Sequence, residues 1–450
     1  MDYIQVKFMA ALLDTLIELN PWWRDDSIPI GIKRELYLQR IKKYLSTGEI
    51  VVLSGVRRSG KTTLLHQTIS YLINEQRVPP KKILFINFDE PAFSQIDEPI
   101  EEILTLYRTD ICGEQDIWLV FDEVQTIEGW EKYIKSLYDR GTYHIIISGS
   151  SSSLFENRLS TLLSGRYFAV PVFPLTFFEY LQFVGFPLRE DVLARAADKY
   201  RIMNHLRDYL RYGGFPRVVL QQDESLRTEY LRSYYDTIVF RDIILNNRVR
   251  NVKALKDLLY YLFSNCSNLF SYRNLEDILK IDFATLKEYL LYAQQAKILF
   301  EVPFFAYSLK VQSRNNKKCY CIDNGLRNSI AFRFSSDEGR LAENAVFIAL
   351  LQSGFEPYYW KGAGEVDFVI KYPDDTLSAI NVSYTDSPDE REYAGLREFS
   401  STFKEKVQSL ILLTKDLEQE SGGIRCIPLW KWLCTGSAHG QGSNIPDIHL

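Results

Sequence analysis

An apolar stretch, Ile50-Val51-Val52-Leu53, runs into Ser54-Gly55-Val56-Arg57-Arg58-Ser59-Gly60-Lys61-Thr62-Thr63, which carries the pattern GxxxxGKT. Behind it Leu65, Ile69 and Leu72 repeat at helical spacing, so strand, glycine loop and helix follow in the order of a phosphate-binding loop. The glycines matter because Gly55 and Gly60 can adopt backbone angles denied to other residues, turning successive N–H groups toward one anion. The helix adds its positive N-terminal end. The candidate phosphate-binding residues are therefore Gly55, Val56, Arg57, Arg58, Ser59, Gly60, Lys61, Thr62 and Thr63. Lys61 would reach the β- and γ-phosphates of ATP, and the Thr62 hydroxyl would ligate Mg²⁺. Arg57 and Arg58 lie inside the loop, where they can clamp phosphate or an acid such as Glu123.

That acid belongs to a second strand. Trp118-Leu119-Val120-Phe121-Asp122-Glu123 is apolar until it ends in two carboxylates. A buried strand ending so is the expected partner of a phosphate loop: Asp122 holds Mg²⁺ and Glu123 orients the attacking water. A further strand, His144 to Ser148, ends in Gly149-Ser150-Ser151-Ser152. Ser148 or Ser150 is the candidate γ-phosphate sensor; a serine-rich turn capping the helix from Leu154 is the competing reading. Arg166, in Leu163-Ser164-Gly165-Arg166, is a candidate for transition-state charge, in cis or at a neighbouring subunit of a homo-oligomer, against the common role of a surface ion pair.

The chain of 450 residues has room for roughly three domains. Strand and helix alternate up to Val170, which predicts a parallel α/β sheet. Ile4 to Leu19 reads as an amphipathic helix ended by Asn20-Pro21, which docks on a partner or membrane surface or covers its own domain. Past Pro174 the pattern turns helical. Three helices (Leu255 to Phe263, Leu275 to Leu279, Ala284 to Ala293) precede two strands (Ile298 to Phe304, Lys318 to Ile322), the winged-helix order. A third α/β unit starts with the helix Leu341 to Gln352. The expected divisions are an N-terminal helix and linker (1–30), a P-loop ATPase domain (31–185), a helical region (186–254), a winged-helix-like domain (255–325), a smaller α/β domain (335–434) and a disordered tail (435–450).

Lys and Arg number 53 against 58 Asp and Glu, a net charge of -5, so the chain as a whole does not attract nucleic acid or an acidic membrane. The helix Asp282 to Ala293 holds Lys287 against Asp282 and Glu288, a poor face for reading DNA. Arg241, Arg248, Arg250 and Lys253 make the more basic stretch. No apolar run reaches the roughly eighteen residues of a membrane span, and Asp2 and Lys7 do not suit a signal peptide. Six scattered cysteines, with Cys319 and Cys321 on one strand face, read as buried thiols and point to a reducing, cytoplasmic compartment.

GVRRSGKTTLL, VFDEVQTIEGWEKYIKSLYD, ISGSSSSL, LSGR, FPLTFFEY, YLRYGGFPRVV and CIDNGLRN occur in one order. Together they resemble the archaeal and bacterial AAA-type ATPases in which a P-loop domain is joined to a winged helix and a C-terminal domain of unknown function. The resemblance implies a RecA-like sheet of the additional-strand, catalytic-glutamate class, with Lys61, Thr62, Asp122 and Glu123 in the roles given above. It also implies a restriction-endonuclease-like C-terminal domain, in which Glu343 and Asp367 match the first two active-site positions. Asn381 and Ser383 stand where Glu-x-Lys belongs, so the resemblance implies binding without cutting, although Glu365, on the same strand face as Asp367, could partly restore a metal site. The expected activity is Mg²⁺-dependent ATP hydrolysis that switches a protein client or DNA. The alternative is a DNA-binding or transcription-linked module in which ATP is a structural or regulatory ligand.

Overall fold

The apolar runs become a buried sheet. In the computed structural model, which describes residues 3–24, 27–113, 116–149, 163, 165–187, 196–331 and 338–435, five strands near the N-terminus lie side by side. They are β1 (Ile50–Ser54), β2 (Ile83–Asn87), β3 (Ile117–Asp122), β4 (Tyr143–Gly149) and β5 (Tyr167–Pro171), in the order β2-β3-β4-β1-β5. Every neighbouring pair is parallel. Continuous Val, Ile and Leu suits such strands, because helices cover both faces of a parallel sheet. β4 sits between the strand that feeds the phosphate loop and the strand that ends in Asp122, so one extra strand separates them. The expected α/β class, with a parallel P-loop sheet, is what the chain adopts.

The helix Tyr3–Leu19 belongs to this core. Leu12 and Leu16 are buried among the sheet residues, with Met9, Leu13 and Ile17 packed against them. Asn20, which ends the helix, then takes the place of a strand neighbour. Its Nδ2 donates to the Phe85 carbonyl (2.9 Å) and its Oδ1 accepts from the Phe85 N–H (2.7 Å). The indoles of Trp22 and Trp23 donate to the Ile83 carbonyl. Together they cover the open edge of β2, whose backbone would otherwise recruit another chain.

The chain divides into two compact units, one ending at Val172 and one starting at Phe173. In the second, the helices Val252–Ser264, Tyr272–Leu279 and Phe283–Gln295 accompany an antiparallel sheet of β6 (Leu269–Phe270), β7 (Leu299–Val302) and β8 (Lys317–Cys321), ordered β6-β8-β7. A mixed six-stranded sheet follows: β9 (Tyr358–Lys361), β10 (Glu365–Lys371), β11 (Leu377–Ser383), β12 (Val407–Thr414), β13 (Gln419–Ser421) and β14 (Ile424–Pro428), ordered β13-β14-β12-β11-β10-β9. The helices Glu338–Gln352 and Glu390–Phe403 belong with it.

Two motifs are knit together within this second unit. Asp323 caps the helix Asn324–Ile330 through the Leu326 N–H (2.9 Å) and accepts the Gly214 N–H (2.6 Å). Gly213 has a left-handed φ of +75°, and a Cβ there would strike the Asp323 carboxylate. Only glycine fits. Among the described residues no helix is long and apolar enough to cross a membrane. The tail from residue 436, the helix expected from Leu154, and Ser150, Ser151, Ser152 and Ser164 lie outside the described residues.

Candidate active site

The loop after β1 closes tightly because Gly55 packs on Val172, where a Cβ would run into the Val172 carbonyl. The Ser54 carbonyl accepts the Val172 N–H at 2.6 Å. Gly60 takes a left-handed φ of 100° and opens the helix Lys61–Asn74. Arg34 braces the loop from outside, its Nη1 donating to the Ser59 carbonyl at 2.9 Å. Gln67 ties the preceding segment to the helix through the carbonyls of Ile30 (2.7 Å) and Ile32 (2.8 Å).

Thr62, Asp122 and Ser148 touch, and Lys61 and Glu123 lie close by. The Thr62 Oγ1 donates to Asp122 Oδ2 at 2.6 Å, and the Ser148 hydroxyl donates to the other oxygen, Oδ1, in a short contact. Lys61 is buried and folds back on its own loop, donating to the carbonyls of Gly55 (3.1 Å) and Val56 (3.3 Å). Its Nζ lies 4.0 Å from Glu123 Oε1. Glu123 holds a left-handed φ of 52°, a conformation that costs a non-glycine residue roughly 1–3 kcal/mol, and Arg58 inside the loop shares it at 69°. Its Oε2 accepts from Gln125 in a short contact and lies 3.9 Å from Arg57, which also reaches Asp89 at 3.5 Å.

Burial, reinforced by the neighbouring Glu123, pushes the Asp122 carboxyl up, against the pull of Ser148, Thr62 and Lys61. A buried carboxylate beside a hydroxyl oxygen is a donor pair that fits a hard divalent ion such as Mg²⁺. Arg166 is not part of this cluster. It precedes β5, and its carbonyl accepts the Ile50 N–H at 3.1 Å, at the amino edge of the sheet. β1 spans five residues, so roughly 16 Å of strand separates Arg166 from the loop of its own chain. Its guanidinium pairs with Asp139 at 2.7 Å.

The C-terminal candidates also gather, around a residue the sequence reading did not single out. Lys318, on β8, places its ammonium 3.1 Å from Glu343, 2.9 Å from Glu365 and 2.8 Å from Asp367. Tyr320, two residues along, donates to the same Glu343 oxygen at 2.7 Å. Asn381 is taken up by the backbone: it accepts the Asp367 N–H (3.0 Å) and donates to the carbonyls of Glu365 (3.1 Å) and Glu392 (3.0 Å). Ser383 ends β11 opposite Thr414. Arg34, Lys318 and Tyr320 had no motif to announce them, and Gln125 lay inside VFDEVQTIEG without a role of its own there. The one available signal was alternation in Lys317-Lys318-Cys319-Tyr320-Cys321, where a lysine shares a strand face with a tyrosine.

A family model described as an AAA domain matches residues 47–181, and two described as domains of unknown function (DUF8612 and DUF4143) match residues 203–337 and 338–432. The uncharacterized protein MJ1544 of Methanocaldococcus jannaschii is 29% identical over 428 residues, covering 91% of this chain and 94% of that protein. An uncharacterized protein of Haemophilus influenzae is 30% identical over 409 residues, 89% of this chain and 98% of its own length. Among solved structures, the Aeropyrum pernix ORC1 protein in complex with DNA covers 73% of this chain and 97% of its own, at 14% identity and a TM-score of 0.32, too remote to inform function.

Proposed function

This chain belongs to the same family as the Haemophilus influenzae protein and carries an AAA domain, and from that premise we propose that it is a Mg²⁺-dependent ATPase working as a nucleotide-driven switch on a partner. The observation that carries the reading is the convergence of Lys61, Thr62, Asp122, Glu123 and Ser148 at the carboxyl edge of a parallel sheet, where ligands of open α/β sheets bind.

In this reading the loop N–H groups and the helix end at Gly60 receive the phosphates of ATP. Lys61 exchanges its two backbone carbonyls for phosphate oxygens. Thr62 and Asp122 hold Mg²⁺, which supplies charge neutralisation for the phosphates. Glu123, steadied by Gln125 and Arg57, accepts a proton from the attacking water. Ser148 links Asp122 to the Glu123 N–H, which it accepts at 3.4 Å, so it is the residue through which loss of the γ-phosphate would be felt.

In the second unit, the order helix, β6, two helices, β7, a short helix (Leu309–Arg314) and β8 supports a winged-helix-like domain with a helix inserted between its wing strands, and a helix before β9–β11 followed by a helix and β12 supports an endonuclease-like one. The helix Phe283–Gln295 leaves Phe283 (47%) and Leu291 (50%) exposed and, with its cap Asp282, carries net charge -1, which favours a protein client over DNA. The deciding experiment compares ATP turnover in the wild type and Glu123→Gln. We expect kcat to fall about 10²–10⁴-fold while nucleotide binding by calorimetry persists. Equal turnover in the two proteins would remove Glu123 from its role.

A further inference from the structure

The cluster of Glu343, Glu365 and Asp367 has the composition of a divalent-cation site, three carboxylates from a helix and a strand, yet its centre is filled by protein. Lys318 is buried to 3% side-chain exposure and meets all three acids within hydrogen-bonding range. Burial alone would lower its affinity for the proton; Asp367, Glu343 and Glu365 outweigh that and keep it charged. The remaining oxygen positions are largely spoken for. Asp367 Oδ2 accepts the Val382 N–H at 2.9 Å, and Glu343 Oε1 accepts Tyr320 as well as Lys318.

We propose that Lys318 is the resident cation of this pocket. Its ammonium stands where a divalent ion such as Mg²⁺ or Mn²⁺ would otherwise be required, and it ties β8 to the Glu338–Gln352 helix and to β10. Burial and the neighbouring Asp367 push the Glu343 carboxyl up to about 8 even beside Lys318; acids this close cannot share the site without a counter-charge, and a lysine reaching from another element supplies it without exchange with solvent. Removing the ammonium vacates an oxygen-lined site of the kind hard divalent cations take. The inference deepens the reading of residues 335–434 as a domain that does not cut.

The test uses nucleotide-free full-length protein, with Mn²⁺ binding read by electron paramagnetic resonance and melting read with and without EDTA. Wild type should show no Mn²⁺ site that Asp367→Asn abolishes. Lys318→Ala should melt roughly 10 °C lower in EDTA, should gain one Mn²⁺ site that raises its melting point, and should lose that site in Lys318→Ala/Asp367→Asn. If Lys318→Ala does not fold, the pair Lys318→Met and Lys318→Met/Asp367→Asn decides, since deleting one anion should restore folding. A wild-type Mn²⁺ site sensitive to Asp367→Asn would overturn the proposal. So would a Lys318→Ala protein that melts like wild type and binds no metal, or a double variant no better than Lys318→Met. Plasmid cleavage by wild type with Mg²⁺, lost in Asp367→Ala, would sink the non-cutting reading as well, whereas a metal site without cleavage would sink this inference alone.

Discussion

Two clusters in this chain are made of the same parts, carboxylates and one buried lysine, and they are wired in opposite ways. At the phosphate loop, Lys61 contacts two carbonyls and keeps 4.0 Å from its nearest acid, Glu123. At the second site, Lys318 is within 3.1 Å of three acids. The difference decides what each lysine can still do. A carbonyl contact is worth about 1 kcal/mol net and is easily traded for a phosphate oxygen. A buried charge pair costs several kcal/mol to break, so Lys318 stays put. On the proposed reading, availability for a ligand, more than residue type, is what separates the two sites.

The same chemical change made in each cluster gives the widest contrast. Glu123→Gln should lower kcat by about 10²–10⁴-fold, whereas Glu343→Gln should leave steady-state turnover within about two-fold, because a glutamine oxygen can still accept from Lys318 and Tyr320. Comparable losses of turnover in both variants would dissolve the distinction.

Exchanging the lysines should invert the readout. Lys318→Met leaves buried acids unpaired and should cost about 3–5 kcal/mol of stability in urea unfolding. Lys61→Met should leave stability nearly unchanged and weaken nucleotide binding about 10- to 100-fold, the worth of charged hydrogen bonds of roughly 1.5–3 kcal/mol. A stable Lys318→Met protein, or an unstable Lys61→Met one, would reverse the assignment.

The two sites were also unequally legible in sequence. The phosphate loop could be read because its strand, glycines and lysine are contiguous, and Asp122-Glu123 because an apolar strand announces its own end. The contact of Ser148 with Asp122 required knowing that β4 lies beside β3, which strand order alone decides. Lys318 was hidden for a harder reason: it is 25 residues from Glu343 and 49 from Asp367, and only the packing of β8 on another sheet's helix brings them together. Asn381, read as a lost catalytic position, turned out to be occupied by backbone N–H and carbonyl groups of β10 and of the helix Glu390–Phe403. Short strands such as β6 and β13, of 2 and 3 residues, carry too little periodicity to be seen.

Asp323 extends the comparison to a carboxylate held by backbone N–H groups. Burial raises it from 3.8 to about 6. A raised carboxyl stabilises the fold when protonated, so its contribution is full below its unfolded value near 3.8 and is lost as pH rises through about 6. Asparagine does not titrate. The stability gap between wild type and Asp323→Asn should therefore be widest near pH 4 and narrow by about 2–3 kcal/mol by pH 7, at ~1.36 kcal/mol per unit. Urea midpoints across that range check it, and a gap that widens with pH would contradict the burial argument.

The smallest expected effect belongs to Arg166. Its guanidinium is 46% exposed and paired with Asp139, itself 44% exposed, a geometry worth about 0–1 kcal/mol. Arg166→Ala should therefore barely shift the melting point. Because the residue sits at the sheet edge opposite its own phosphate loop, turnover of a dilute monomer should be unchanged as well. A role in catalysis would have to come from a neighbouring subunit, and it carries a signature: the wild type would gain specific activity as protein concentration rises, and Arg166→Ala would not. Measuring kcat against protein concentration for both proteins separates the two cases, since a deficit in Arg166→Ala that persists at the lowest concentration would mean the arginine reaches its own site after all.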